Sequence, residues 1–553
     1  MTHFKKYFSQ YVFAGLSLLV MLPLLKSGYV LSLDMVFTPH ISLPDQVSPS
    51  YPFWALMHIL NLAIPSQILE KVLLFSILFV SGWSMYTLVQ KLRPNHHVDD
   101  QTWQWGSYFA GVLYMFNPYV YDRFMAGQYM VLAGSALLPL FTYTLWRLYK
   151  NPSKRSALWL AATTSLTLIV SIHAVGLLVI LTFGMLAVVV ARHRDKTAGF
   201  TKWLLIAMII TVVVHGFWLV PTALGHGSTA TIVDGFTSAD QQAFATNPGS
   251  LGLIGNVLAL NGFWGESKNL FFTASDMYSW WLFPVIALWV LVLAGAVSLW
   301  RRRRAVAVLG LVVIGVSALL AVGTAGTFAA PLNRFLVDHV PFFAGYREPQ
   351  KFVALIALVY AFFGGAAVAT ITQQFKHDAK LKEHWQTAGA IFMLIPILCT
   401  PLMPWAFHGQ LHAADYPVEW YAIHDRLNVQ CKNNCKVLFL PWHLYMHYDF
   451  ADRIIASPAT KFFGSYIISS TDPELDGAAG YTQNSLQKTI STSILPDAEQ
   501  GKDIAAALRA QHIQYVLLAK ENDFKRYAYL DKQKSLKVEL DTPTLKLYEV
   551  EGK

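Results

Sequence analysis

Apolar runs of roughly 18 residues or more recur through residues 1–407 of this chain, and runs of that length admit few folds. Hydrocarbon offers no water to backbone N–H and C=O groups, so each run must close its hydrogen bonds within itself as a helix. Such runs fall near 8–31, 68–90, 103–121, 128–149, 156–172, 174–191, 203–222, 279–300, 305–324, 352–374 and 388–407, which predicts about eleven spans. The first follows Lys5 and Lys6 as a signal peptide would, but it lacks a small-residue cleavage site and reads as an uncleaved anchor. Composition agrees, because 54% of the residues are hydrophobic and 14% charged, against about 25% charged in soluble domains. An ordinary soluble enzyme and a disordered chain are both excluded.

The excess of 42 Lys and Arg over 33 Asp and Glu gives a net charge of +9. These cations do not form a stripe for nucleic acid; they gather in short loops between the runs, where they orient helices. Every second loop carries them: Lys5/Lys6, Lys91/Arg93, Arg147/Lys150/Lys154/Arg155, Arg192/Arg194/Lys196/Lys202, Arg301 to Arg304, and Lys376/Lys380/Lys382. That side is assigned to the cytoplasm, with the N-terminus on it. The alternation holds only if 158–192 is a tight two-helix hairpin turning near His173, since one long helix would send Arg301 to Arg304 outward.

The outer side then receives loops 32–67, 223–278 and 325–351, a short turn around 121–128, and everything after about 408. In that tail, 436–440, 513–518 and 545–550 read as buried strands and 503–509 as a short helix. The chain therefore divides into a transmembrane bundle, 1–407, and a soluble α/β domain, 408–553, of about 140 residues, enough for a modest core. Three cysteines are too few for a disulfide scaffold and lack zinc spacing. Cys431 and Cys435 are placed for a small loop disulfide of structural character.

Polar groups at the mouth of a membrane bundle are costly to desolvate and so are functional candidates. Asp34, just after the first span, sits where a general base toward an acceptor hydroxyl would, and equally suits a solvated loop carboxylate or a cap. Segment 117–128 (NPYVYDRFMAGQ) brings Asp122, Arg123 and Gln128 to an outer helix end that Pro118 should bend, although an interfacial charge pair reads as well. Segment 343–352 (FAGYREPQKF) puts Arg347 and Lys351 outward, against the positive-inside bias. These are the donors that hold a phosphate, with Glu348 to orient them; a snorkelling pair is the plainer alternative. Two outward basic clusters at a bilayer surface suit the phosphate of a lipid carrier.

Weaker candidates are His173 and His215, both more consistent with packing. His408, His412 and Asp415 lie at the start of the tail and read as solvated. Asp99 and Asp100 imitate an acidic metal motif but fall on the cytoplasmic side. Trp264, Glu266 and Asp276 in the long outer loop suit either sugar contact or interfacial anchoring.

On Asp34, on NPYVYDR at 117–123, on YREPQKF at 346–352 and on FLPWHLY at 439–445, the sequence resembles the polytopic membrane glycosyltransferases of the GT-C superfamily. Within it, the bacterial branch with the YfhO-type and arabinofuranosyltransferase-like proteins is the most similar. The resemblance spans most of the chain and rests on the order and sidedness of these segments. It implies an α-helical polytopic bundle with an extracytoplasmic C-terminal α/β domain, in the plasma membrane. It also implies transfer of a sugar from a polyprenyl-phosphate donor to an envelope glycan, lipid or protein acceptor on the outer face. Asp34 inherits the role of catalytic base. Arg347 and Lys351, with Arg123, would neutralise the departing phosphate, supported by Asp122, Glu348, Tyr346 and Gln128. No outward Asp-X-Asp pair is present, which points to a metal-independent, inverting reaction without a cofactor, or to a silent relative. The alternatives are a non-catalytic scaffold of envelope assembly and a lipid-linked sugar transporter or flippase; internal repeats, usual in transporters, are not found.

Overall fold

The computed structural model describes residues 2–93, 99–225, 238–340, 342–431, 435–474 and 485–551. The N-terminal part is a bundle of helices: α1 (Thr2–Met21), α2 (Tyr51–Asn61), α3 (Ser66–Lys91), α4 (Asp100–Met115), α5 (Pro118–Met125), α6 (Tyr129–Lys150), α7 (Lys154–Val170), α8 (Val175–Arg192) and α9 (Arg194–Val214), then α10 (Leu282–Arg302), α11 (Arg304–Val322) and α12 (Val353–His377). Among the described residues 9 helices are long and apolar enough to cross a membrane, the last a broken one over Trp385–His408. The protein is a multi-pass membrane protein.

Nine against the eleven expected has a local cause. α4 has 16 residues and α7 has 17, each just short of a full crossing. The run expected at 103–121 is interrupted because Pro118 disfavours helical geometry at Asn117, which is extended at φ −154°, ψ 159°. Asn117 then caps the next helix, its side chain accepting from Val120 N at 3.1 Å, with Pro118 at the first helical position. α5 therefore begins as a separate short helix, whose end carries Arg123 and Gln128 to Glu348.

The chain reverses between α7 and α8 where expected, although the two helices pack on α6 and α9 more than on each other. Between them Ser171 is extended and Ile172–Ala174 is one 3-10 turn. The Tyr149 ring at the end of α6 meets His193 at 5.4 Å and Lys196 Nζ at 5.5 Å, so the chain is back at its starting end after α8. At one end of the bundle Arg303 donates to Leu92 O (2.9 Å) and Arg93 O (3.1 Å), and Lys376 Nζ meets Asp99 at 2.9 Å. Asp99 also caps α4, and Asp100 pairs with Arg93, so neither forms a metal site there. The other loops converge on the opposite end, where Tyr121 OH donates to Phe272 O at 2.5 Å and accepts from Gln410 Nε2 at 2.8 Å.

α12 is buried along almost its whole length and packs mainly on α4, α10 and α11. Its contact with α4 is backbone against backbone: a Cβ at Gly106 would strike the Gly365 carbonyl. Without a hydrophobic drive between helices in lipid, such small-residue contacts supply the packing.

The tail is built on a five-stranded sheet of order β6-β3-β7-β9-β8, from β3 (Lys436–Leu440), β6 (Ile467–Ile468), β7 (Ile513–Ala519), β8 (Leu536–Asp541) and β9 (Leu545–Val550). β3 is parallel to β6 and β7, and β9 is antiparallel to β7 and β8. Alternation sorts its side chains: Leu438, Leu440 and Val516 face a small core with Leu508 and Tyr548, while Val437, Phe439 and Leu517 join Trp420 and Phe462 in a core continuous with the bundle. The tail is stitched to the first outer loop. β1 (Tyr29–Val30) pairs antiparallel with β2 (Ala413–Ala414), and the hairpin of β4 (Tyr445–Tyr448) and β5 (Arg453–Ala456) bridges to Leu33. Cys431 and Cys435 are disulfide-bonded, and Cys399 is a buried thiol.

Candidate active site between bundle and tail

Asp34 lies where the first outer loop, the turn after α5 and the β4–β5 hairpin meet. Its N–H donates to Ala126 O at 3.2 Å, its Oδ1 accepts from Tyr445 OH, and its Oδ2 accepts from Gln128 Nε2 at 3.4 Å. Gly127, at φ +71°, makes that approach possible: a Cβ there would collide with the Ser32 carbonyl and the Met35 amide.

Gln128 is the hub. Its Nε2 donates to both Glu348 oxygens at 3.1 and 3.2 Å, and its Oε1 accepts from Arg123 Nη1 at 2.5 Å. Arg123 Nη1 also donates to Glu348 Oε2 at 2.5 Å, with side-chain exposures of 1% and 6%. Lys351 Nζ stands 3.8 Å from the same oxygen. The guanidinium of Arg123 lies over Phe263 at 4.6 Å and that of Arg347 over Phe244 at 4.4 Å, so two rings of the long outer loop seat two of the cations. Burial pushes the Glu348 carboxyl up, but Lys351, Arg123 and Arg347 together outweigh it and hold the group well below the usual carboxylate range.

Asp34 differs. Its side chain is exposed to the cavities, yet the protein packed around it desolvates the carboxyl and raises its pKa. The Tyr445 hydrogen bond opposes the rise, Glu348 adds to it, and Gln128 and Arg347 oppose it. A carboxyl displaced upward is a better proton acceptor than an ordinary one.

Two cavities meet at this cluster. One of about 530 Å³ runs along the bundle past Trp54, Tyr129 and His173 to Lys351. The other, about 320 Å³, lies under the tail and long outer loop, lined by Phe244, Trp264, Lys268, Tyr445 and Glu474. Asp34, Gln128, Arg347 and Glu348 line both.

Asp34, Arg123, Gln128, Arg347, Glu348 and Lys351 are thus brought together, whereas Asp122 and Tyr346 are not. Tyr346 OH donates to His173 O at 2.9 Å and accepts from Gly176 N at 2.6 Å, pinning the 343–352 segment to the α7–α8 turn. Asp122 turns the other way, into a buried carboxyl pair with Glu266; burial, then the Glu266 charge, pushes its pKa well up. Glu266 in turn accepts from Gly262 N (2.8 Å) and Phe263 N (2.9 Å), which fixes the loop carrying Phe263. Asp276 closes its own turn with Thr273. Trp264 lines the smaller cavity. His215 is a packing residue, its Nδ1 accepting from Trp218 Nε1 at 2.9 Å. Among the described residues no group of three or more His, Cys, Asp and Glu is arranged to hold a metal ion.

Sequence reasoning missed Tyr445, Phe244 and Phe263 as parts of the site. Tyr445 closes the FLPWHLY segment, which was legible as distinctive but carried no role.

This bundle of membrane helices closed over by a C-terminal α/β tail has a counterpart among solved structures. The solved structure of arabinofuranosyltransferase AftD from Mycobacteria superposes with a TM-score of 0.65 at 12% identity over 99% of this chain, and a single-substitution mutant of that enzyme with 0.63 at 13% over 99%. The chain spans 40% and 42% of the length of those two structures. No family model and no curated protein matches its sequence.

Proposed function

We propose that the protein is a membrane glycosyltransferase that moves a sugar from a polyprenyl-phosphate carrier to a hydroxyl of an envelope glycan, lipid or protein on the outer face. The observation that carries this reading is the meeting of two cavities at one carboxylate and one cationic cluster. The larger cavity, along the bundle, takes the donor; the smaller, under the tail and lined by Trp264 and Tyr445, takes the acceptor.

In the reaction, Asp34 takes the proton from the acceptor hydroxyl as its oxygen attacks the anomeric carbon. The bond from that carbon to the phosphate oxygen breaks, and polyprenyl phosphate leaves with the electron pair. A single displacement inverts the configuration. Arg347, Lys351 and Arg123 stabilise the charge that grows on the phosphate, while Glu348 and Gln128 hold two of these cations in place. The reaction as drawn uses side chains alone, without metal or cofactor. The basic end with Arg303 and Lys376 lies opposite the site, which supports a cytoplasmic N-terminus and an extracytoplasmic tail in the plasma membrane.

Native mass spectrometry of the detergent-purified protein tests this reading. A co-purifying polyprenyl phosphate or its glycoside, lost in the Arg347→Ala/Lys351→Ala variant, is the expected result. A folded protein that retains no such carrier and transfers no sugar from one overturns it.

A further inference from the structure

Asp34 sits in an irregular run, 31–38, that the tail grips at nearly every residue. Arg453 Nη1 donates to Leu31 O (3.4 Å), Leu33 N to Ile454 O (3.3 Å), Ala456 N to Leu33 O (2.9 Å), Lys461 Nζ to Val36 O (3.1 Å) and Tyr416 OH to Phe37 O (2.9 Å). Leu33 is left-handed at φ 41°, a conformation that a leucine keeps only where the surroundings impose it. From the bundle side, Ser32 Oγ donates to Met125 O at 2.5 Å. All these bonds fix the backbone. Among the described residues, one hydrogen bond from the tail reaches the carboxylate itself, and it comes from Tyr445.

We propose that Tyr445 is a positioning residue of the transfer reaction: its hydroxyl, brought by the β4–β5 hairpin of the tail, holds Oδ1 of Asp34 and leaves Oδ2 turned to the cavities to receive the acceptor's proton. This rests on the reading of Asp34 as the base. The tail is then part of the reaction centre as well as a wall of the acceptor cavity. Among the described residues Oδ2 is engaged only by the long 3.4 Å bond from Gln128, which an acceptor hydroxyl can displace. A phenol donating to a carboxylate favours its ionised form. The other groups facing Asp34 are Glu348, which opposes ionisation, Arg347, Lys351 and Lys461, which favour it, and Tyr129. Without the Tyr445 hydroxyl, burial and Glu348 meet less opposition, and the carboxyl protonates at higher pH.

The test uses the full-length protein in detergent or nanodiscs, with Tyr445→Phe and with 3-fluorotyrosine at position 445. The first removes the donor and keeps the ring; the second keeps the shape and strengthens the donor. Two readouts are taken against pH: the transfer rate, and carbodiimide labelling of Asp34 measured by mass spectrometry, which needs no turnover. Tyr445→Phe is expected to move both midpoints up by about one pH unit, and fluorotyrosine to move them down, with melting temperatures little changed. Midpoints that stay at the wild-type value in both proteins overturn the positioning role. Shifted labelling on a wild-type chain that transfers no sugar overturns the glycosyltransferase reading instead, and the proposal with it. If Tyr445→Phe does not fold, the downward shift with fluorotyrosine decides alone.

Discussion

Arg123 and Glu348 form an ion pair sealed inside the protein, 2.5 Å apart, joining the turn after α5 to the segment that leads into α12. Two buried charges are tolerated because each also has other partners, Gln128 for both and Lys351 for the carboxylate.

Glu348→Gln is expected to destabilise the protein by about 3–5 kcal/mol, since it leaves Arg123 and Lys351 buried without a counter-charge. Thermal unfolding in detergent measures this. The pH dependence has a definite sign. The folded-state pKa of Glu348 is depressed, so its contribution is complete above the ordinary value of 4.5 and declines as pH falls below it. Wild-type stability should drop on acidification in that range, and the variant should lack this component.

Asp34→Asn is expected to lower transfer by about 10²–10⁴-fold, the usual worth of a general base. The amide oxygen can still accept from Tyr445, so the melting temperature should stay near that of the wild type. In the wild type, transfer should fall on the acid side with a midpoint above the ordinary carboxylate range, because the base must be ionised and burial raises its pKa. An Asp34→Asn protein with full transfer removes this residue from the mechanism.

Gly127→Ala places a Cβ against the Ser32 and Met35 backbone at a positive φ. It is expected to cost more than about 1 kcal/mol and to push the loop carrying Asp34 away from Gln128. Activity should fall more than stability does. Limited proteolysis within 31–50, compared with the wild type, reports the loop displacement directly.

Glu521, in the tail, accepts from Asp449 N at 2.8 Å and is buried; its pKa is pushed up to about 7, first by that burial. A raised carboxyl penalises the folded state as pH rises from 4.5 toward 7, so this region should be less stable at neutral than at mildly acid pH. Glu521→Gln is expected to flatten that slope in melting curves recorded between pH 5 and pH 8.

Most of the spans were legible because hydrophobic length is a local property, readable without knowing what touches what. The reversal at 171–174 followed from the alternation of loop charge, and the break at Asn117 from the proline after it. The strands at 436–440, 513–518 and 545–550 showed as short apolar runs. The composition of the site was only half legible. Arg347 and Lys351 stood out as cations against the expected alternation of loop charge, but nothing local distinguishes Asp122, which turns to Glu266, from Arg123, which turns to Glu348. Neighbours on a helix point about 100° apart, and tertiary packing decides which faces the cavity. The bond from Tyr445 to Asp34 joins residues 411 apart in sequence, beyond any local pattern.

That separation gives the clasp around residues 31–38 a consequence for biogenesis. A ribosome makes Asp34 some hundreds of residues before its holders, from Tyr416 to Lys461. While the intervening helices are being inserted, the loop that bears the carboxylate has its bonds to Met125 and Ala126 but not the clasp of the tail. On the proposed reading, a nascent or prematurely terminated chain lacks the Tyr445 contact, and the reaction centre is complete only when the tail has closed on the loop.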